Sequence, residues 1–171
     1  MKPQRVSIPE VSVVAPALHN AYYADAYAVA DPAPQLGSME TCLHVLRATP
    51  DWVERAMDLR NAVVSRLGLK NLGRLGGFDT HKPAADYRVG DAVGIFSLQH
   101  VGNDEVVMGD SDRHLDVCVS VFKSVADRQL VISTVVHVKN WFGRLYMLPV
   151  TPAHQIIVPA MLKKLSSRFS S

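Results

Sequence analysis

Two sets of residues alternate without a break from His114 to Val121. Leu115, Val117, Val119 and Val121 fall on one side of an extended chain, and His114, Asp116, Cys118 and Ser120 on the other. A second strand-like run, QLVISTVVHV, follows after an ADR turn, and strand-like runs VGIFSLQHV and EVVMG precede it, separated by GND and GDSD turns. Four strands with such short connections predict an antiparallel meander. The pattern predicts one apolar face and one wet face, with cover needed on the apolar side only.

Earlier in the chain, AYYADAYAV sets Tyr23, Asp25 and Tyr27 against Ala24, Ala26 and Ala28, which predicts a first strand ended by Asp31, Pro32 and Pro34. The period then changes. Ser38 is placed to cap a short helix carrying Met39, Cys42, Leu43 and Leu46 at helical spacing. A second helix is expected from Thr49 and Pro50, with Asp51 in its first turn, Val53, Ala56, Met57, Val63, Val64 and Leu67 on its stripe, and Gly68 closing it. The glycine-rich LKNLGRLGGFDTHKPAADYRVGD has no period and reads as loop.

Cover for the sheet comes from the C-terminal TPAHQIIVPAMLKKL. Thr151 is the expected cap and Pro152 the first turn; His154, Ile157, Val158, Met161 and Leu165 share a stripe from which Lys163, Lys164 and Arg168 are excluded. Strand, two helices, a run of antiparallel strands and a final helix give an α+β chain. That order is the one of a helix-grip-like fold, a curved antiparallel sheet wrapped around a long C-terminal helix. Residues 1–20, with Pro3, Pro9 and Pro16, are expected to run extended over the surface, leaving residues 21–171 as one domain.

Composition narrows the function classes. A chain of 171 residues that is 48% apolar can build a core without metal or disulfide support. Eighteen basic and 16 acidic residues are spread evenly, so no basic block points to nucleic acid. Cys42 and Cys118 stand far apart with no metal-ligand spacing, and no cofactor motif is present. No segment reads as a signal peptide or as long enough to span a bilayer, so a cytoplasmic protein without membrane contact is expected, as monomer or homodimer.

The phrases PDWVERAMDLRNAVVSRLGLK, DRHLDVCVSV and VVHVKNWFGRLYMLPVTPAHQIIVPAMLKKL resemble a bacterial family, the domain of unknown function numbered 2867, over about residues 22–168. The most specific pieces are Leu59-Arg60-Asn61 with Gly68-Leu69-Lys70, the Asp112 to Asp116 phrase, and Gly143-Arg144 with Tyr146 and His154. Cys118 and Val117 stand where family members carry an arginine and often an aromatic residue. The resemblance implies a fold and carries no activity.

Candidate chemistry gathers on the last helix and the segment before it. His154 should point at the sheet, where an imidazole can act as acid or base or simply sit hydrogen-bonded in the core. Arg144, Tyr146 and Trp141 lie in NWFGRLYMLP, read as a turn in which Gly143 allows a close bend. A guanidinium there suits a ligand's carboxylate or phosphate, or a salt bridge to Asp112 or Asp116. His114 with Asp116 and His137 with Ser133 fall on the wet face and read as solvated; neither Ser120 nor LGRLGGFDTH has the spacing of a nucleophile elbow or a phosphate loop.

These residues lead to a small-molecule binding module holding an apolar or amphipathic ligand between sheet and helix. Val117, Val119, Ile157 and Met161 would line the cavity, and Arg144, Tyr146 and His154 would orient the ligand. An enzyme using His154 in the same cavity, and a packed interaction domain with no cavity, are the alternatives.

Overall fold

The strand-like stretches fold as strands, and the sheet has two strands more than the pattern predicted. A computed structural model of the chain describes residues 2–65, 75–79 and 81–169. Its strands are β1 (Gln4–Val6), β2 (Tyr23–Ala30), β3 (Ala92–Val93), β4 (Phe96–Val101), β5 (Glu105–Ser111), β6 (Leu115–Ser124) and β7 (Gln129–Val138); its helices are α1 (Ser38–Arg47), α2 (Asp51–Ser65) and α3 (Trp141–Phe169). All seven strands form one antiparallel sheet in the order β1-β2-β7-β6-β5-β4-β3. VGIFSLQHV is thus two strands, since Gly94 at φ 62° turns the chain between Val93 and Phe96. A register shift between Leu98 and His100 marks a bulge, which helps an open sheet curl. The expected close of α2 at Gly68, and much of the loop after it, lie outside the described residues.

The inward side of the sheet carries the main core. Tyr27 and Val29 of β2, Met108 of β5, Val121 of β6, and Leu130 and Ile132 of β7 pack with Met39, Cys42, Leu43 and Leu46 of α1 and Val158, Met161, Leu162 and Leu165 of α3. Leu162 and Leu165 are almost wholly buried, each worth about 1.5–3 kcal/mol of apolar burial.

The other side corrects the expectation of a wet face. Residues 8–21 cross it, so that Ile8, Val14, Ala17 and Ala21 pack on Ala24, Ala26, Ala28, Val107, Val131 and Val135. The small face of β2 is what lets this segment approach. Ser120 and Ser133, read as solvated, are fully buried beneath it. Glu105 anchors the segment, its carboxylate accepting hydrogen bonds from Ser12 Oγ at 2.6 Å, the Val13 amide at 2.8 Å and Ser120 Oγ.

α3 also differs from expectation, starting ten residues before Thr151. Asn140 caps it by accepting from the Gly143 amide at 3.0 Å, so NWFGRLYMLP is helix and not a turn. Gly143 is needed for close packing instead: a Cβ there would lie 2.5 Å from the carbonyl oxygen of His114 and 2.9 Å from Val138. Pro149, Pro152 and Pro159 sit inside the helix. Each deprives the carbonyl four residues earlier of its donor, and those residues, Leu145, Leu148 and Gln155, are exposed to water. The 29-residue helix is, by length and composition, apolar enough to cross a membrane, against the expectation that no segment approaches that size. Its inward residues Met147, Val158, Met161, Leu162 and Leu165 are nevertheless buried in this domain.

Candidate functional site

Strand alternation turns Tyr23, Asp25 and Tyr27 of β2 inward, and antiparallel register sets Thr134 of β7 directly beside Asp25. Helical spacing brings His154 of α3 down onto this pair. His154 Nε2 lies 3.0 Å from Thr134 Oγ1 and 3.4 Å from Asp25 Oδ1. The phenol of Tyr23 donates to Asp25 Oδ2, and its ring meets the His154 ring edge-on at 6.0 Å. Two strands and a helix therefore converge on one carboxylate.

The electrostatics of this cluster are unusual. The Asp25 side chain is only 1% exposed, whereas His154 keeps 22%. Asp25 Oδ1 makes no hydrogen bond, its approach to the imidazole being longer than a good one. A buried carboxylate oxygen without a donor costs on the order of 1–3 kcal/mol or more. Burial, then the hydrogen bond to Asp25 and the charge of that carboxylate, push the Tyr23 phenol above its ordinary value, so it stays a donor at physiological pH.

The other residues read from the sequence divide between two places. Met161 lies in the core, with Val119 and Ile157 half-buried at its edge; Val117 is half-buried on the same face of β6. Tyr146 is turned toward α2, where Arg60 Nε donates to its hydroxyl at 3.1 Å and the guanidinium lies over its ring at 5.5 Å. Arg60 also donates to Asn61 at 2.8 Å within α2, so in the Arg-Asn pair noted in the sequence it is Arg60 that ties α2 to α3. Arg144 is exposed, and Trp141, 73% exposed, meets Phe142 edge-on at the helix start. The acids considered as partners for Arg144 are engaged elsewhere: Asp116 with Lys139 at 2.6 Å, and Asp112 with the amides of His114 and Leu115. His154 is thus brought to Asp25 and Thr134, not to Arg144 and Tyr146.

Asp25, Tyr23 and Thr134 were not singled out by sequence. One signal was available for Asp25: an acid between two tyrosines on the aromatic side of a strand whose other side is alanine. A separate groove of about 370 Å³ lies at the N-terminus of α1, lined by Ser38, Met39, Ala84, Tyr87, Arg88 and Asn103 among others, and it contains none of these residues. Cys42 is buried and its thiol pushed up to about 12 by that burial, which makes it unreactive. Among the described residues no cluster of three or more His, Cys, Asp or Glu could hold a metal ion.

No curated protein and no solved structure matches the chain. A family model described as a protein of unknown function, DUF2867, matches residues 17–161 and takes in all four residues of the cluster. The chain therefore belongs to the DUF2867 family.

Proposed function

We propose that this domain binds a small apolar or amphipathic molecule at the seam between the sheet and α3, with Asp25, His154, Tyr23 and Thr134 as the polar anchor. The observation that carries the reading is the unpaired Oδ1 of the buried Asp25 beside the partly exposed His154. Folds seldom keep a buried acceptor unpaired for stability alone, and such groups gather where a ligand or reaction uses them. A ligand hydroxyl or amine entering beside His154 supplies the missing donor. Val117, Val119 and Ile157, half-buried on the inward side, offer apolar surface for its body.

The contact between Asp25 and His154 also favours a second reading, an enzyme in which the imidazole moves a proton and the carboxylate orients it. Both readings place the same residues at the centre. Titration with the amphipathic fluorophore anilinonaphthalenesulfonate tests the binding site. Saturable binding by the wild type and at least tenfold weaker binding by a folded His154→Leu variant are expected. Equal binding by the two proteins would remove the anchor from this cluster.

A further inference from the structure

We propose that the outward face of α3 docks on an anionic membrane surface, the helix lying in the plane of the lipid headgroups. An amphipathic helix on a soluble domain is apolar toward the core and polar outside. α3 is apolar on both sides. Opposite its buried stripe, Trp141 (73% exposed), Leu145 (54%), Leu148 (65%) and Ile156 (62%) recur with Pro149 and Pro152 at helical spacing, and nothing among the described residues covers them.

Charge selects the occupant. The 29 residues of α3 include no aspartate or glutamate, while Arg144 and Lys163 are exposed at the sides and end of the stripe and Arg113 is exposed next to the helix start. The neighbouring acid Asp51 of α2 faces Lys164, on another side of the helix. An apolar stripe with an aromatic residue at one end, on a helix whose only charged side chains are cations, complements a negatively charged lipid surface.

Two further observations argue against a second copy as the cover. From Trp141 to Ile156 the stripe is about 22 Å long and about 10 Å wide, a footprint of roughly 220 Å², against about 800 Å² per partner in a stable interface. In addition, Pro149, Pro152 and Pro159 free the carbonyls of the outward residues Leu145, Leu148 and Gln155. A dry helix seam would bury those acceptors unpaired, whereas the hydrated headgroup layer satisfies them. The same carbonyls, and the burial of Met147, Val158 and Leu162 in the core, argue for lying on the membrane over crossing it. The inference departs from the sequence-based expectation of no membrane contact, which could not see that this face is left bare.

Co-sedimentation of the chain with vesicles tests it. Binding is expected to vesicles of equal parts phosphatidylglycerol and phosphatidylcholine, at least tenfold weaker to phosphatidylcholine alone, and falling as salt rises. The double variant Leu148→Glu, Ile156→Glu should lose tenfold or more, and Arg144→Gln and Lys163→Gln about fivefold each at low salt. Unchanged circular dichroism establishes that each variant is folded; should the double variant fail there, the two charge variants decide. Absence of binding to the anionic vesicles, equal binding to both vesicle types, or a dimer in sedimentation velocity that Leu148→Glu dissociates would overturn the proposal, the last by making the face a self-interface.

Discussion

The sheet buries one carboxylate on each face, both 5% exposed, and treats them in opposite ways. On the side covered by residues 8–21, Glu105 receives two serine hydroxyls and a backbone amide, a full set of donors with no cation. On the side covered by α3, Asp25 receives one phenol and leaves its second oxygen bare beside an imidazole. Burial is equal, so it does not tell the two apart; hydrogen-bond satisfaction does. A satisfied buried acid fastens one part of the chain to another, and an unsatisfied one is kept at a cost to the fold.

The contrast predicts its largest effect at Glu105. Glu105→Ala strands the buried Ser12 and Ser120 hydroxyls and releases the Val13 amide, with about 1–3 kcal/mol at stake for each buried hydroxyl left unpaired and the apolar contacts of the segment loosened besides. A loss of roughly 3–5 kcal/mol in urea unfolding is expected, with residues 8–21 losing hydrogen-exchange protection first. A loss under about 1 kcal/mol would mean that the segment is held by its apolar contacts and that the carboxylate is incidental.

Tyr23→Phe comes next, because it removes the one donor Asp25 has. About 1–2 kcal/mol should be lost near neutral pH, as for a hydrogen bond to a charged group in a partly exposed setting. The pH dependence has a definite sign. The folded state raises the Tyr23 phenol above its unfolded value near 10, with burial the largest cause. That contribution is complete below pH 10 and is lost as pH rises toward the folded value. Chemical denaturation across the alkaline range should therefore show the gap between wild type and Tyr23→Phe closing above about pH 10. A gap that stays constant would mean that the phenol is not held neutral by the fold.

What the sequence could say about these regions depended on the range of the contacts. Period-two alternation is local, and it marks β2 and β6 as strands and the inward side of β6, because the pattern is written in neighbouring residues; which side of β2 turns inward is not written there. The start of α3 was misread for a local reason as well: Thr151-Pro152 has the form of a helix cap, and only the exposure of Leu145, Leu148 and Gln155 lets three prolines be carried inside a helix. The second cover was not legible, since serine on a strand reads as solvated until Ser12 meets Glu105 across 93 positions of chain. The cluster lay in two halves for the same reason. His154 was placed on its inward stripe, but its partner Asp25 sits near the other end of the chain, and no spacing rule joins them.

The smallest effect on stability, and the sharpest test of the contrast, belongs to Asp25→Asn. The amide keeps an oxygen for the Tyr23 hydroxyl and places an N–H where the bare Oδ1 stood, facing Thr134 Oγ1 and His154 Nε2, both of which can accept. Removing an uncompensated buried carboxylate offsets whatever attraction to the imidazole is lost, so stability should move by less than about 1 kcal/mol in either direction. Binding of anilinonaphthalenesulfonate should meanwhile fall tenfold or more. Glu105→Ala would show the reverse division, with a large stability loss and little effect on the probe at concentrations where it stays folded. If Asp25→Asn instead unfolds the domain by 3 kcal/mol or more, a magnitude typical of breaking a buried ion pair, then Asp25 and His154 hold the fold as Glu105 does, and the difference between the two faces disappears.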